Sequence, residues 1–122
     1  MNYGMDKGEL DHMQIKATIL SDKEMRDIGF TNHAEDRWYF CRRIKFPNTK
    51  QYRGLDITFN LTIPKDGSDI QIDILDEDFL QPYDYQYILE NNPKCEPCLI
   101  VKEQVEEWIK YLQNSGVLSG HI

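Results

Sequence analysis

Leu55-Asp56-Ile57-Thr58-Phe59-Asn60-Leu61-Thr62-Ile63, then Pro64-Lys65-Asp66-Gly67, then Ile70-Gln71-Ile72-Asp73-Ile74, is the stretch that decides the fold. Apolar and polar residues alternate with period two on both sides of a turn signal, so each arm buries one face and wets the other, the pattern of an antiparallel hairpin. Upstream, Trp38, Phe40, Ile44 and Phe46 share one parity while Arg37, Tyr39, Cys41, Arg43 and Lys45 share the other, which adds a strand. Arg42 falls on the apolar parity and predicts an early strand end or a β-bulge there. Joined by the loop Pro47 to Gly54, the three strands make a meander. Its inner face is expected to carry Trp38 and Phe40, Ile57, Phe59 and Leu61, and Ile70, Ile72 and Ile74.

A meander with one apolar face needs a cover. The C-terminal segment supplies it: Val101, Val105, Trp108, Ile109 and Leu112 fall at helical spacing, with Glu103, Glu106, Glu107 and Lys110 mainly outside, and Gly116 closes the helix. At the other end, Met13, Ile15, Ala17 and Ile19 alternate as a further strand, and Ser21-Asp22-Lys23-Glu24 is a capping box that starts a short helix ending at Gly29. Thr31 to Asp36 reads as a polar turn, and 76–83 as an acidic turn. Asp84 is placed to cap a short helix through Tyr85, Tyr87, Ile88 and Leu89 that stops before Pro93. The expected fold is α+β: an antiparallel meander of three to four strands packed on a C-terminal amphipathic helix, with a short N-terminal helix. Residues 1–12 are expected to be a frayed leader, with Met5 or Met13 as alternative starts, and 13–122 to form a single domain.

The charge is segregated along the chain. A net charge of −7 over 122 residues conceals six cations and no acid in residues 37–53, against ten acids and two lysines in 54–97. Hydrophobic residues make up 40% of the chain, which favours a packed globule over a disordered tail. The longest purely apolar run is Cys98-Leu99-Ile100-Val101, too short to span a bilayer, and Asp6, Glu9 and Asp11 stand where a signal peptide would be basic and then apolar. A cytoplasmic protein with reduced thiols is the expectation.

Catalytic apparatus is hard to find. Cys95-Glu96-Pro97-Cys98 is a C-x-x-C pair. As half a zinc site it needs two further ligands, for which Cys41 and His33 are the candidates, and as a redox pair it needs the start of a helix beside it. Two small residues in a turn before a helix is the plainer reading, and no metal or cofactor is expected. Asp73, Asp76, Glu77 and Asp78 lack the lysine that would follow them in a metal-dependent nuclease, and the glycines are scattered as turns rather than gathered in a phosphate loop. No nucleophile stands in a recognisable frame beside His33. The chain is not expected to be an enzyme.

Two surfaces remain. Arg42, Arg43, Lys45, Lys50 and Arg53, interleaved with Trp38, Tyr39, Phe46 and Tyr52, have the composition of a single-strand nucleic-acid surface, cations for phosphates and rings for bases. The acidic edge Asp66, Asp69, Asp73, Asp76, Glu77, Asp78 and Asp84, with Tyr83 and Tyr85, suits a protein partner with a basic surface. The order α-β-β-β-α resembles that of double-stranded-RNA-binding domains. The basic cluster those domains carry at the start of the last helix is replaced here by Lys102, Glu103, Glu106 and Glu107.

The segments Gly29-Phe30-Thr31, Trp38-Tyr39-Phe40, Asp56 to Asn60 and Ile72 to Phe79 resemble small uncharacterised phage and prophage proteins of Gram-positive bacteria, over about residues 20–120. That resemblance implies an accessory role exercised by occupying another protein, and the size and acidity of the chain are similar to those of nucleic-acid mimics, in which carboxylates replace phosphates. Taken together, the residues predict a non-catalytic binding protein that uses the acidic edge, with nucleic-acid binding by the basic segment as the alternative. Oligomeric state is not legible.

Overall fold

A computed structural model describes residues 14–66 and 69–121. The elements in chain order are β1 (Gln14–Ala17), α1 (Asp22–Ile28), β2 (Thr31–Ala34), β3 (Arg37–Arg43), β4 (Ile57–Pro64), β5 (Gln71–Asp76), β6 (Gln81–Pro82), α2 (Tyr85–Asn91), α3 (Glu96–Asn114) and β7 (Leu118–His121). A single 3-10 turn, Lys50–Tyr52, interrupts the loop between β3 and β4. The expected leader, residues 1–12, lies outside the described residues.

The meander is wider than the three to four strands expected. Strands β2 to β6 form one antiparallel sheet in sequence order, and β1 pairs with β7 in a separate two-stranded ribbon. Alternation is expressed directly in burial: Trp38 and Phe40 of β3, Ile57, Phe59, Leu61 and Ile63 of β4, and Ile72 and Ile74 of β5 all lie inside. Ile70 falls just before β5 and is only partly buried. On the opposite face Tyr39, Thr62 and Gln71 make one cross-strand row and Cys41, Asn60 and Asp73 the next.

Arg42 neither ends β3 nor bulges it. The β3–β4 register runs unbroken through Arg42 opposite Phe59 and Arg43 opposite Thr58. The guanidinium instead lies 4.2 Å from the centre of the Phe40 ring and 5.3 Å from that of Trp108. An arginine can follow an apolar face in this way because its stem is greasy and its flat cation is attracted to ring faces. The register irregularity sits in β2, between Thr31 and Ala34, a segment whose sequence reads as a turn.

Helix α3 starts at Glu96, five residues before the periodic stripe, with Pro97 in its first turn where a missing N–H costs nothing. Cys98, Val101, Val105, Ile109 and Leu112 are buried on it. Trp108 lies at the rim, half-buried, edge-on to Phe40 and Tyr111. The capping box of α1 forms as expected, with Ser21 Oγ accepting from the Glu24 N–H and the Glu24 carboxylate from the Ser21 N–H, and Gly29 ends the helix at φ +126°. Gly29 also sits against Arg42: a Cβ there would fall 2.1 Å from the guanidinium, so the glycine makes room for the cation on the apolar face.

Candidate functional site

The acidic turn between β5 and β6 is built by its own carboxylates. Asp76 Oδ1 accepts from the backbone N–H of Asp78 at 3.1 Å and of Phe79 at 3.4 Å, so this side chain shapes the turn. Glu77 is tied down twice: its N–H donates to the Asp56 carbonyl at 2.8 Å and its carboxylate accepts from the buried Thr58 hydroxyl. The consequence is a tip that holds two large apolar side chains in water, Phe79 at 72% and Leu80 at 84% exposure. Leu80 has φ +50°, alone among the described non-glycine residues in a positive φ. That conformation costs a side-chain-bearing residue about 1–2 kcal/mol.

The remaining acidic-edge residues do not join this tip into one continuous surface. Asp66 and Asp69 lie at the β4–β5 turn, separated from Asp76 by the length of β5, about 20 Å for six residues. Asp73 lies between them on the wet face, opposite Asn60. Asp84 caps α2, accepting from the Tyr87 N–H at 3.1 Å. Tyr85, the first residue of α2, belongs to the core and is 1% exposed, so it offers no ring to a partner. Tyr83 is half-buried with its hydroxyl 3.4 Å from Cys98 Sγ. Burial, and then that contact, push its hydroxyl well above the usual tyrosine range. Tyr87, 62% exposed, presents a ring where Tyr83 and Tyr85 do not.

The basic segment comes together around a surface depression of about 640 Å³ lined by Arg42, Arg43, Lys45, Arg53, Tyr52 and Trp108, among others. A neighbouring depression of about 430 Å³ shares Arg43, Lys45 and Trp108 but adds Glu103 and Glu107. Lys45 is held there by its backbone: its N–H donates to Gln104 Oε1 at 2.8 Å, and Gln104 Nε2 donates to its carbonyl at 2.6 Å. Arg43 Nε lies 3.2 Å from Asp56 Oδ1. Lys50, on the 3-10 turn, lines neither depression. Few rings are available for stacking: Trp38 is 1% exposed, and Phe46 stacks on Tyr52 with centroids 5.7 Å apart. The Tyr52 hydroxyl donates to Glu96 at 2.9 Å, which raises its pKa.

The three cysteines are free and divided. Cys41 is exposed on the wet face of β3, its thiol raised chiefly by partial burial. Cys95 and Cys98 lie at the start of α3 with their sulfurs 3.1 Å apart. Burial pushes the Cys98 thiol up to about 11. Cys41 and His33 therefore belong to sheet strands and the C-x-x-C pair to the helix start, and among the described residues no three His, Cys, Asp or Glu gather as metal ligands. Among the described residues no helix is long and apolar enough to cross a membrane.

With this geometry in hand, likeness to known proteins is confined to the fold. No protein-family model matches the chain, and no curated protein does. A crystal structure of a DUF1831 family protein from Lactobacillus plantarum superimposes with a TM-score of 0.59, over 86% of this chain and 83% of that one, at 12% identity. The chain is similar to it in fold. At that identity the likeness speaks for the α+β architecture alone.

Phe79 and Leu80 carry no expectation from the sequence, although a signal was there. Two adjacent apolar residues between Asp76-Glu77-Asp78 and Gln81-Pro82 fit neither a period-two nor a helical pattern. Apolar residues in a turn have no core to enter unless the chain folds back over them.

Proposed function

We propose that the chain is a non-catalytic binding protein that engages a protein partner through its β5–β6 tip. The observation that carries this reading is the pair Phe79 and Leu80, 72% and 84% exposed, on a turn that the Asp76 carboxylate shapes and that places Leu80 at φ +50°. Folding gains nothing from showing two large apolar groups to water, whereas a partner pocket that took them in would gain roughly 1.5–3 kcal/mol for each. Asp78, exposed beside them, supplies the charge, so the matching surface is an apolar pocket rimmed by lysine or arginine. The resemblance to phage and prophage proteins supports an accessory role exercised by occupancy. The spread of the acids along β5, with Asp73 alone between the two ends, favours an inhibitor or adaptor over a nucleic-acid mimic, which needs a continuous row of charge.

Asp78→Lys tests the electrostatic half of this proposal. Its side chain is exposed, so the fold should be unaffected, while capture of the partner should weaken and the loss should shrink as salt is raised. Equal capture by both proteins at low salt would remove the acidic tip from the interface.

A second reading rests on the basic depression, in which Arg42, Arg43, Lys45 and Arg53 line one concavity with Trp108. It supports an anionic ligand such as single-stranded nucleic acid. Fluorescence anisotropy of a labelled oligonucleotide should then show affinity that falls steeply with salt and weakens in Arg53→Ala. Affinity independent of salt would exclude it.

A further inference from the structure

Cys95 and Cys98 have a geometry that neither binding reading uses. Cys95 is the N-cap of α3 and Cys98 lies in its first turn, so the helix start brings the two side chains to one side. Their sulfurs are 3.1 Å apart, about 1 Å more than a disulfide bond. The two thiols differ in access: Cys98 is 0% exposed in the core, whereas Cys95 is only half-buried. The hydroxyl of the half-buried Tyr83 lies 3.4 Å from the Cys98 sulfur.

We propose that Cys95 and Cys98 are a reversible dithiol/disulfide couple that exchanges with small-molecule disulfides, Cys95 attacking first and Cys98 resolving. Cys95, as the thiolate, attacks one sulfur of the small disulfide. The S–S bond breaks, a mixed disulfide forms on Cys95, and the leaving thiolate takes up the proton that Cys95 released. Cys98 then gives up its proton and attacks the Cys95 sulfur. The Cys95–Cys98 bond forms as the second small thiolate leaves and is protonated. Two protein thiols are oxidised, one disulfide is reduced to two thiols, and protons are conserved. The division of labour follows from access: a disulfide in solution reaches the half-buried sulfur, and the buried one needs to reach only its neighbour. The unusually high pKa of Cys98 is consistent with a thiol held protonated until the mixed disulfide stands beside it.

The test uses the full chain carrying Cys41→Ser, which removes the exposed third thiol. The protein is equilibrated in glutathione buffers from fully reduced to fully oxidised, acid-quenched, then unfolded in denaturant at neutral pH with N-ethylmaleimide and weighed intact. The expected result is two maleimides on the reduced protein and none on the oxidised, with a mass loss of two hydrogens, a peptide bridging 95 and 98, and full reversal by dithiothreitol. In the Cys98→Ser background glutathione should remain attached to Cys95. In Cys95→Ser, a substitution at the half-buried position that leaves the core intact, Cys98 should stay unmodified. Two maleimides at every buffer ratio, glutathione on both sulfurs without a bridge, or a zinc ion on the reduced protein that blocks the thiols would each overturn the proposal.

Discussion

The basic segment after β3 and the acidic turn after β5 reverse the usual placement of charge and grease. In the first, a cation lies on the packed side of the sheet, Arg42 covering Phe40 at 4.2 Å with Trp108 beside it. In the second, Phe79 and Leu80 stand in water while Asp76 and Glu77 are engaged in building the turn. The difference is one of compensation. Arg42 recovers its position through ring faces, a hydrogen bond from Nη1 to the Cys41 carbonyl at 2.8 Å, and the space left by Gly29. The hydrogen bonds of Asp76 and Glu77 hold the turn, but the Phe79 and Leu80 side chains stay 72% and 84% exposed. A cost met inside the fold is structural; one left open at a surface points to a partner.

The largest expected effect sets the scale for that comparison. Phe59→Ala, at the centre of the sheet and 0% exposed, should cost about 3–5 kcal/mol in a denaturant titration. Trp108→Ala, at the rim, should cost about 2 kcal/mol, because only part of the indole is buried. Equal losses would show that the rim is as tightly packed as the centre.

Alkaline pH probes the packing beneath the acidic tip. The Cys98 thiol ordinarily titrates at 9.0 and is pushed up to about 11 in the folded chain, and Tyr83 is raised in the same direction. The unfolded chain therefore releases these protons first as pH rises. The Cys98 contribution is fully present below pH 9 and is lost between pH 9 and about 11, and that of Tyr83 is lost at higher pH in the same direction. A melting temperature flat across that window, measured under reducing conditions, would contradict the burial of this pair.

Smaller changes separate the two regions more finely. Arg42→Ala should lower stability by about 1 kcal/mol through lost stacking, with little dependence on salt, whereas a purely coulombic role would fade as salt is raised. Leu80→Gly should leave stability unchanged or raise it by less than about 1 kcal/mol, since glycine accepts a positive φ and the leucine side chain packs against little, while partner capture should fall. A marked loss of stability in Leu80→Gly would mean that the tip is held by contacts of its own.

The central strands were legible because a half-buried strand writes its burial into period-two chemistry, as Ile57 to Ile63 and Ile72 to Ile74 do. Ser21, Glu24 and Gly29 were legible because caps are local. The edge strands were not: Thr31 to Ala34 carries no alternation and is placed by backbone pairing with β3, and Gln81–Pro82 is two residues long. Strand β7 depends on β1, about a hundred residues away in sequence, and no local pattern can announce such a partner. For the candidate site, the acidic turn was visible as composition, but charge counts do not say which carboxylates face outward. Asp84 caps α2 as its position before Tyr85 predicts, whereas Tyr85 became core and the exposed pair at the tip was apolar.

The most direct test of the tip is quantitative affinity capture from nuclease-treated bacterial lysate, comparing the wild-type chain with Phe79→Ser/Leu80→Ser. Both side chains are exposed, so the melting temperature of the variant should match the wild type within the small range typical of surface substitutions. The expected result is a protein held at fixed stoichiometry by the wild type and lost, by tenfold or more, from the variant. Equal retention by both would contradict the tip as the binding surface.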